Sequence, residues 1–317
     1  MRILVLGSTG YLGQHVTARL RALPGARVRT AGRSADADVA VDLAGDPPER
    51  LAGLLAPEAP DAVVNCAGVT GGDAVALAEV NARGPAALCA ALREAAPAAR
   101  LVHLGSAAEY GPGLPGTKAA ESAATCPLGP YGATKLAGTV AVTASGLDAV
   151  VLRVGNPVGP GAPVTGLPGR ITALLRAAGR DPDAVLRLGD LSAHRDFVDV
   201  RDVAGAVELA VTAGGPLPPV LNIGGGEAVR VRRLVRELAG RAGFRGRVEE
   251  DGGGSARSAR VSWQCSDIGA AAGALGWRPS HTLDESLAAL WAAAGPAAAL
   301  WAAAGPASHA PEVEVVP

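Results

Sequence analysis

The sequence predicts an α/β fold: a doubly wound parallel sheet followed by a smaller C-terminal lobe. Three observations predict it. Short runs rich in Val, Ile and Leu alternate with helix-length amphipathic stretches, the pattern of successive β-α-β units. The first such run ends directly in a glycine loop that opens a helical pattern. Later runs end in small or polar residues, Arg33, Cys66-Ala67-Gly68 and Ser106, and the carboxyl edge of such a sheet is where ligands sit.

Arg2–Leu6 is apolar, short and stopped by Gly7, so it reads as a buried strand. Gly7-Ser-Thr-Gly10-Tyr-Leu-Gly13 follows, then an amphipathic stretch from Gln14 to Leu23. Between a strand and a helix, three glycines mark a dinucleotide site. They make a tight turn, let the backbone approach a pyrophosphate, and aim a helix N-terminus at it. Gly7, Thr9, Gly10, Tyr11, Leu12 and Gly13 are therefore candidate cofactor contacts. Context decides this in a chain with 43 glycines. The same spacing recurs at Gly240-Arg-Ala-Gly243-Phe-Arg-Gly246 after a helical stretch, and is read there as a helix end and loop.

Arg27–Ala31 is the second strand, closing on Gly32-Arg33-Ser34. The residue at that strand's end meets the adenosine ribose, and a carboxylate there would select NAD. This chain has none and offers Arg33 to a 2′-phosphate instead, which predicts NADP(H) as the preferred cofactor and NAD(H) as the alternative. Val39–Leu43 reads as a third strand ending in Asp42 and Leu43, with a helix near 48–55 behind it. The run from Asp61 to Gly68 is a fourth strand with Cys66, Ala67 and Gly68 in its loop. Val75–Ala96 reads as one long helix carrying Asn81, and Arg100–Leu104 as a fifth strand ending at Gly105-Ser106. Asp42, Leu43, Cys66, Ala67, Gly68 and Asn81 join the candidate cofactor set.

Pro130-Tyr131-Gly132-Ala133-Thr134-Lys135 then opens a helix in which Tyr131 and Lys135 share one face. An ammonium beside a phenol favours phenolate and pulls its pKa down from about 10, giving an acid usable near neutrality. Of 29 basic residues only Lys118 and Lys135 are lysine. A chain that otherwise writes arginine places a compact ammonium here, where its chemistry differs from that of a guanidinium. Ser106, Tyr131 and Lys135 are the candidate catalytic residues.

The balance of 30 acidic against 29 basic residues, without charge blocks, argues against a nucleic-acid surface, and 3% aromatics against base-stacking platforms. No apolar run reaches membrane-spanning length free of Pro, Gly or charge, and the first residues are too short for a signal peptide. Cys66, Cys89, Cys126 and Cys265 lack metal-type spacing, so no metal is expected and the thiols read as reduced, in a cytoplasmic protein. Residues 1–154 are expected to form the dinucleotide-binding domain, with a later strand returning near 196–225. Residues 155–195 and 226–287 would form the substrate lobe, built of loops and short helices, and 288–317 an Ala-rich tail that repeats Ala-Ala-Leu-Trp-Ala-Ala-Ala-Gly-Pro-Ala.

Further motifs are Leu104-Gly-Ser-Ala-Ala-Glu-Tyr-Gly111, Leu152-Arg-Val-Gly-Asn156-Pro-Val-Gly-Pro160, Leu221-Asn-Ile-Gly-Gly225 and Leu275-Gly-Trp-Arg-Pro279. With the glycine loop and the Tyr131/Lys135 pair, they make the chain resemble an extended short-chain dehydrogenase/reductase, in the NAD-dependent epimerase/dehydratase family, from Gly7 to about Leu290. The segment from Leu188 to Asp202 is similar to the corresponding block of GDP-4-keto-6-deoxymannose reductases. The resemblance implies a Rossmann-type sheet and a homodimer. It also implies that Ser106, Tyr131 and Lys135 are the catalytic set, that Tyr131 and Lys135 contact the cofactor as well, Lys135 at the nicotinamide ribose, that Asn156 and Val158 lie over the nicotinamide, and that Ser106, Asn156, Arg195 and Arg257 bind substrate. The family's dehydratases carry Asp-Glu where this chain has Ala107 and Ala108, and its epimerases carry an acid after the second strand, where this chain has Arg33. Both departures favour net reduction. The expectation is an NADPH-dependent ketoreductase acting on the 4-keto group of a nucleoside-diphosphate 4-keto-6-deoxyhexose. Alternatives are a ketoreductase of another small metabolite such as a polyketide, a sugar-nucleotide epimerase, and an NADP-binding sensor without activity.

Overall fold

The computed structural model describes residues 1–250 and 261–294. Arg257 and the tail from residue 295 lie outside the described residues. The chain opens with β1 (Arg2–Leu6), α1 (Tyr11–Arg21), β2 (Arg27–Gly32), β3 (Val39–Ala40) and α2 (Pro48–Leu55). Next come β4 (Ala62–Asn65), α3 (Ala74–Ala78), α4 (Gly84–Ala95), β5 (Arg100–Ser106), α5 (Pro130–Thr143) and β6 (Ala149–Val154). The order continues with β7 (Asn156–Val158), α6 (Leu167–Ala178), β8 (Val185–Leu188), β9 (His194–Asp199), α7 (Val200–Thr212) and β10 (Val220–Ile223). Last are β11 (Ala228–Arg230), α8 (Val231–Ala242), β12 (Arg247–Glu250), α9 (Gly269–Leu275) and α10 (Leu283–Ala293).

Seven strands form one sheet in the order β10-β6-β5-β4-β1-β2-β3, with every pairing parallel. Strand alternation sends Ile3 and Val5 of β1 to one face, where Val16, Leu20, Val203 and Val207 of α1 and α7 cover them. Leu4 and Leu6 go to the other face, against Leu51, Leu55, Leu88 and Leu92 of α2 and α4. With both faces covered, the strands read as continuous apolar runs. The direction of winding reverses between β1 and β4, which places a crevice beyond their carboxyl ends. A third core, around Ile171, Leu186, Phe197 and Leu234, joins α6, α8 and α10 to two small sheets, β11-β9-β7 and β12-β8.

Four expectations change. The third strand is only Val39–Ala40, because Asp42 turns the chain: its carboxylate accepts the Ala44 N–H at 3.1 Å, and its own N–H donates to Asp46 at 2.8 Å. The long helix of 75–96 is broken into α3 and α4 by a π-helical turn, Glu79–Arg83, with Asn81 at its centre. The segment near 196–225 divides, β9 joining a small sheet and β10 the main one. The lobe's helices are not short, α6 and α8 having 12 residues each. The second glycine pattern does close a helix, with Gly243 left-handed after α8.

Two glycines let α5 press onto its neighbours. A Cβ at Gly132 would lie 2.5 Å from the Ala108 carbonyl oxygen, and one at Gly138 would lie 2.2 Å from that of Asn81. Backbone cannot yield as a flexible side chain can. Gly138→Ala is therefore expected to destabilise the protein by about 1–3 kcal/mol, as overpacking does. Gly205→Ala, in α7 with nothing within 4 Å of its Cβ, should be neutral or stabilising by up to about 1 kcal/mol. Thermal unfolding of the two variants checks the contrast, and equal melting points would refute the tight contact.

Candidate active site

A cleft of ≈ 560 Å³ opens where β1, β2 and β4 end. It is lined by Gly7, Thr9, Gly10, Arg33, Asp42, Leu43, Cys66, Ala67 and Gly68, all expected from the sequence. Gly7 has φ +73 and its Cβ position lies 2.6 Å from Ala67 N, so no other residue fits without strain. A Cβ on Gly10 would meet protein only at Gly7 O, 3.3 Å away, and would otherwise fill the cleft. Gly10 precedes α1 with no side-chain cap, leaving the helix's first N–H groups for an anion. The walls fit a dinucleotide. Arg33 is exposed at the rim and pairs with no carboxylate among the described residues. Asp42, the one acid of the lining, has its carboxylate engaged by Ala44.

Other expected contacts are placed differently. Tyr11 sets its ring edge-on to His15, centroids 5.8 Å apart, and burial together with Asp199 pushes its phenol well up. Leu12 packs against the first core, and Val158 is buried in the third with Ile171 and Phe197. These side chains hold the fold, because elements behind the cleft, not the cleft, face them. Asn81 is buried under the wall. Its amide donates to Val69 O at 2.9 Å and to Thr134 Oγ1 at 3.3 Å, and its oxygen accepts from Val69 N at 3.0 Å. It ties the loop after Gly68 to α5, at a π turn of the kind often found beside sites.

Ser106 ends β5 and caps the 3₁₀ turn that follows, its Oγ accepting from Ala108 N at 3.2 Å. Tyr131 and Lys135 lie one turn apart on α5, Tyr131 half-buried and Lys135 5% exposed. Lys135 Nζ donates to Leu104 O at 2.5 Å. Burial pulls this ammonium down to about 8, against the opposing pull of Glu109. Cys66, by contrast, is pushed up to about 12 by burial, so its thiol stays protonated. His103, on the strand face that α5 covers, is held well below the ordinary histidine value by burial and by Lys135, and is neutral.

Two buried charged groups beside Ser106 escaped the sequence reading. Glu109, 0% exposed, accepts the Ser106 N–H at 2.8 Å through Oε1 and the Arg153 Nε–H at 2.7 Å through Oε2. The Arg153 guanidinium also lies 4.6 Å over the Tyr110 ring, whose hydroxyl donates to Asn222 at 2.8 Å. A signal for Glu109 existed: Ser106-Ala-Ala-Glu109 has the capping-box spacing. In the lobe, Asn156 donates to Asp196 O at 3.2 Å and to Gln264 Oε1 at 2.9 Å. Arg195 is buried on β9, one strand away, where desolvation lowers its pKa. The Asp196 carboxylate accepts backbone N–H groups of Gly226 and Ser266. Among the described residues no cluster of His, Cys, Asp or Glu could hold a metal, and no helix is long and apolar enough to cross a membrane.

The profile of the NAD dependent epimerase/dehydratase family matches residues 3–224. A dTDP-6-deoxy-L-talose 4-dehydrogenase (NAD(P)(+)) from Kitasatospora kifunensis is 40% identical over 306 residues, 92% of this chain and 95% of the relative. A GDP-6-deoxy-D-mannose reductase from Pseudomonas aeruginosa is 29% identical, over 91% of this chain and 95% of its own. Among solved structures, RMD from Pseudomonas aeruginosa complexed with NADPH has a TM-score of 0.79 at 25% identity, covering 92% of this chain and 98% of that one.

The burial of Lys135 has a measurable consequence in the cofactor-free protein. Folded, the amine loses its proton near 8; unfolded, it keeps it to its ordinary 10.5. Between those values the unfolded state binds more protons, so this group makes stability rise with pH across that window and contributes no slope below it. Chemical denaturation from pH 7 to 10 should show a rise in the parent that Lys135→Met lacks. Parallel curves would put the ammonium in solvent.

Proposed function

Because the chain belongs to the NAD dependent epimerase/dehydratase family, we propose that it is an NADPH-dependent reductase of the 4-keto group of a nucleoside-diphosphate 4-keto-6-deoxyhexose. The observation that carries the reading is the turn after Ser106. Positions 107 and 108 are alanine, and the turn's one carboxylate has both oxygens engaged by protein donors. That leaves Tyr131 as the one proton donor of the candidate set and no acid-base pair to eliminate water. The relative from Kitasatospora kifunensis is named for oxidation at C4 of a dTDP-6-deoxyhexose. Hydride transfer is reversible, so one site serves both directions, and a dTDP-sugar is the first substrate to try.

When bound, the reduced nicotinamide would supply the hydride. Gly7, Gly10 and the first turn of α1 would hold its pyrophosphate, and Arg33 the 2′-phosphate. Tyr131 gives its phenolic proton to the substrate oxygen as the C–O double bond becomes an alkoxide, and the resulting phenolate is reprotonated from solvent. Ser106 donates a hydrogen bond to that same oxygen. Lys135, one turn below, favours the phenolate left behind. Asn156 and Arg195 would meet the sugar nucleotide, Arg195 as a donor fork for its diphosphate. A homodimer is the expected assembly, and Val75 and Val140, exposed on α3 and α5, suit a contact between helices.

NADPH oxidation with dTDP- and GDP-4-keto-6-deoxyhexoses tests the reading. Tyr131→Phe should lower turnover by roughly 10²–10⁴-fold, the usual loss of a general acid, while leaving NADPH affinity intact. Near-parental turnover would remove Tyr131 from that role, and bound NAD with no net consumption would point to an epimerase. Arg33→Ala should weaken NADPH binding about tenfold or more, the loss of one charge-assisted contact, with little effect on NADH. Equal loss for both cofactors would refute the assignment.

A further inference from the structure

We propose that Glu109, which faces neither cofactor nor substrate, is a positioning residue: its carboxylate fixes the peptide on which Ser106 stands and keeps buried Lys135 in its charged form. The consequence for turnover rests on the reductase reading; the consequence for Lys135 stands without it.

Three observations carry it. Lys135 Nζ donates to the Leu104 carbonyl at 2.5 Å, and Glu109 accepts the Ser106 N–H at 2.8 Å. The ammonium and the carboxylate thus grip the same three residues of β5. Between those grips stands Gly105. A Cβ there would lie 2.8 Å from Glu109 Oε1 and 2.7 Å from Val151 Cγ1, so the missing side chain makes the room that the carboxylate fills. Finally, Arg153, 6% exposed, clamps the other carboxylate oxygen at 2.7 Å, which lets a fully buried carboxylate persist.

The groups facing Lys135 leave Glu109 alone in this task. From the end of β4 comes Cys66, protonated at neutral pH; from β5 comes His103, neutral. Its own helix contributes Tyr131, and β6 contributes Arg153 behind the carboxylate. Among the described residues, Glu109 is the one anion in this group, and it acts against the desolvation that pulls Lys135 down. A residue that merely capped the turn would need an acceptor, not a charge.

The two-lysine composition supplies a direct readout. With lysine labelled by ¹³C at Cε, Lys118→Arg leaves one lysine resonance, that of Lys135. In cofactor-free protein this resonance should titrate near 8, and adding Glu109→Gln should lower the midpoint by about one pH unit or more. The alkaline limb of kcat should move with it, while KM for NADPH holds. An unmoved midpoint in folded Glu109→Gln protein overturns the proposal. Should that variant fail to fold, Arg153→Met reads the same contact with opposite sign: a carboxylate freed of its guanidinium raises the midpoint, and an unmoved one overturns the proposal. The expected titration in a protein that reduces no sugar nucleotide would uphold the charge role and sink the reductase reading alone.

Discussion

An ammonium sunk to 5% exposure beside an apolar sheet is a costly feature, and the residues around it are packed closely to hold it there. Lys135 reaches Leu104 O because α5 lies close on β5. That closeness comes from the glycines at 132 and 138, which let the helix meet the backbone at Ala108 and Asn81. Asn81 in turn sits in a π turn, which offers its carbonyl to α5 while its side chain holds both backbone groups of Val69. The wall of the cleft and the helix bearing the candidate catalytic pair are thus one packed unit.

The two halves of the site use different physics. The nucleotide side is built of backbone: a left-handed Gly7, an uncapped helix start and glycines where side chains would intrude. Such a surface favours anions whatever the pH. The side with the candidate catalytic residues is built of titratable groups in a poorly solvated place, where one neighbouring charge moves a pKa by a unit or more. Glu109 and Arg153 form a pair that is nearly neutral as a whole, with one carboxylate oxygen on Arg153 and the other on the β5 backbone at Ser106.

Much of this was legible in the sequence because it depends on local spacing. The strand, glycine loop and helix at the start, the Tyr131–Lys135 interval and Ser106 at a strand end each follow from periods of 2 or 3.6. What was missed depends on contacts between distant segments. The π turn cannot be seen in Val75–Ala96 alone, since Gly138 is what packs on it. Val158 looked like part of a loop over the cofactor, but its burial with Ile171 and Phe197 is settled by α6 and β9. The third strand stopped early because Asp42 bonded within its own turn, which an apolar-run reading does not weigh. Glu109 was visible as a capping box, yet its charge acquires meaning only from Arg153, 44 residues later.

The arrangement also bears on the direction of chemistry. An epimerase must take a hydride off one face of the sugar and return it to the other, so its cofactor stays bound through turnover. A dehydratase needs two further acids beside the catalytic hydroxyl. This site has alanines in place of those acids, one phenol among its candidate catalytic residues, and an exposed cation at the rim of the cleft. Net reduction asks for one hydride and one proton, with the spent cofactor exchanged each time. Those needs match the one donor and the open rim more closely than they match a closed cycle.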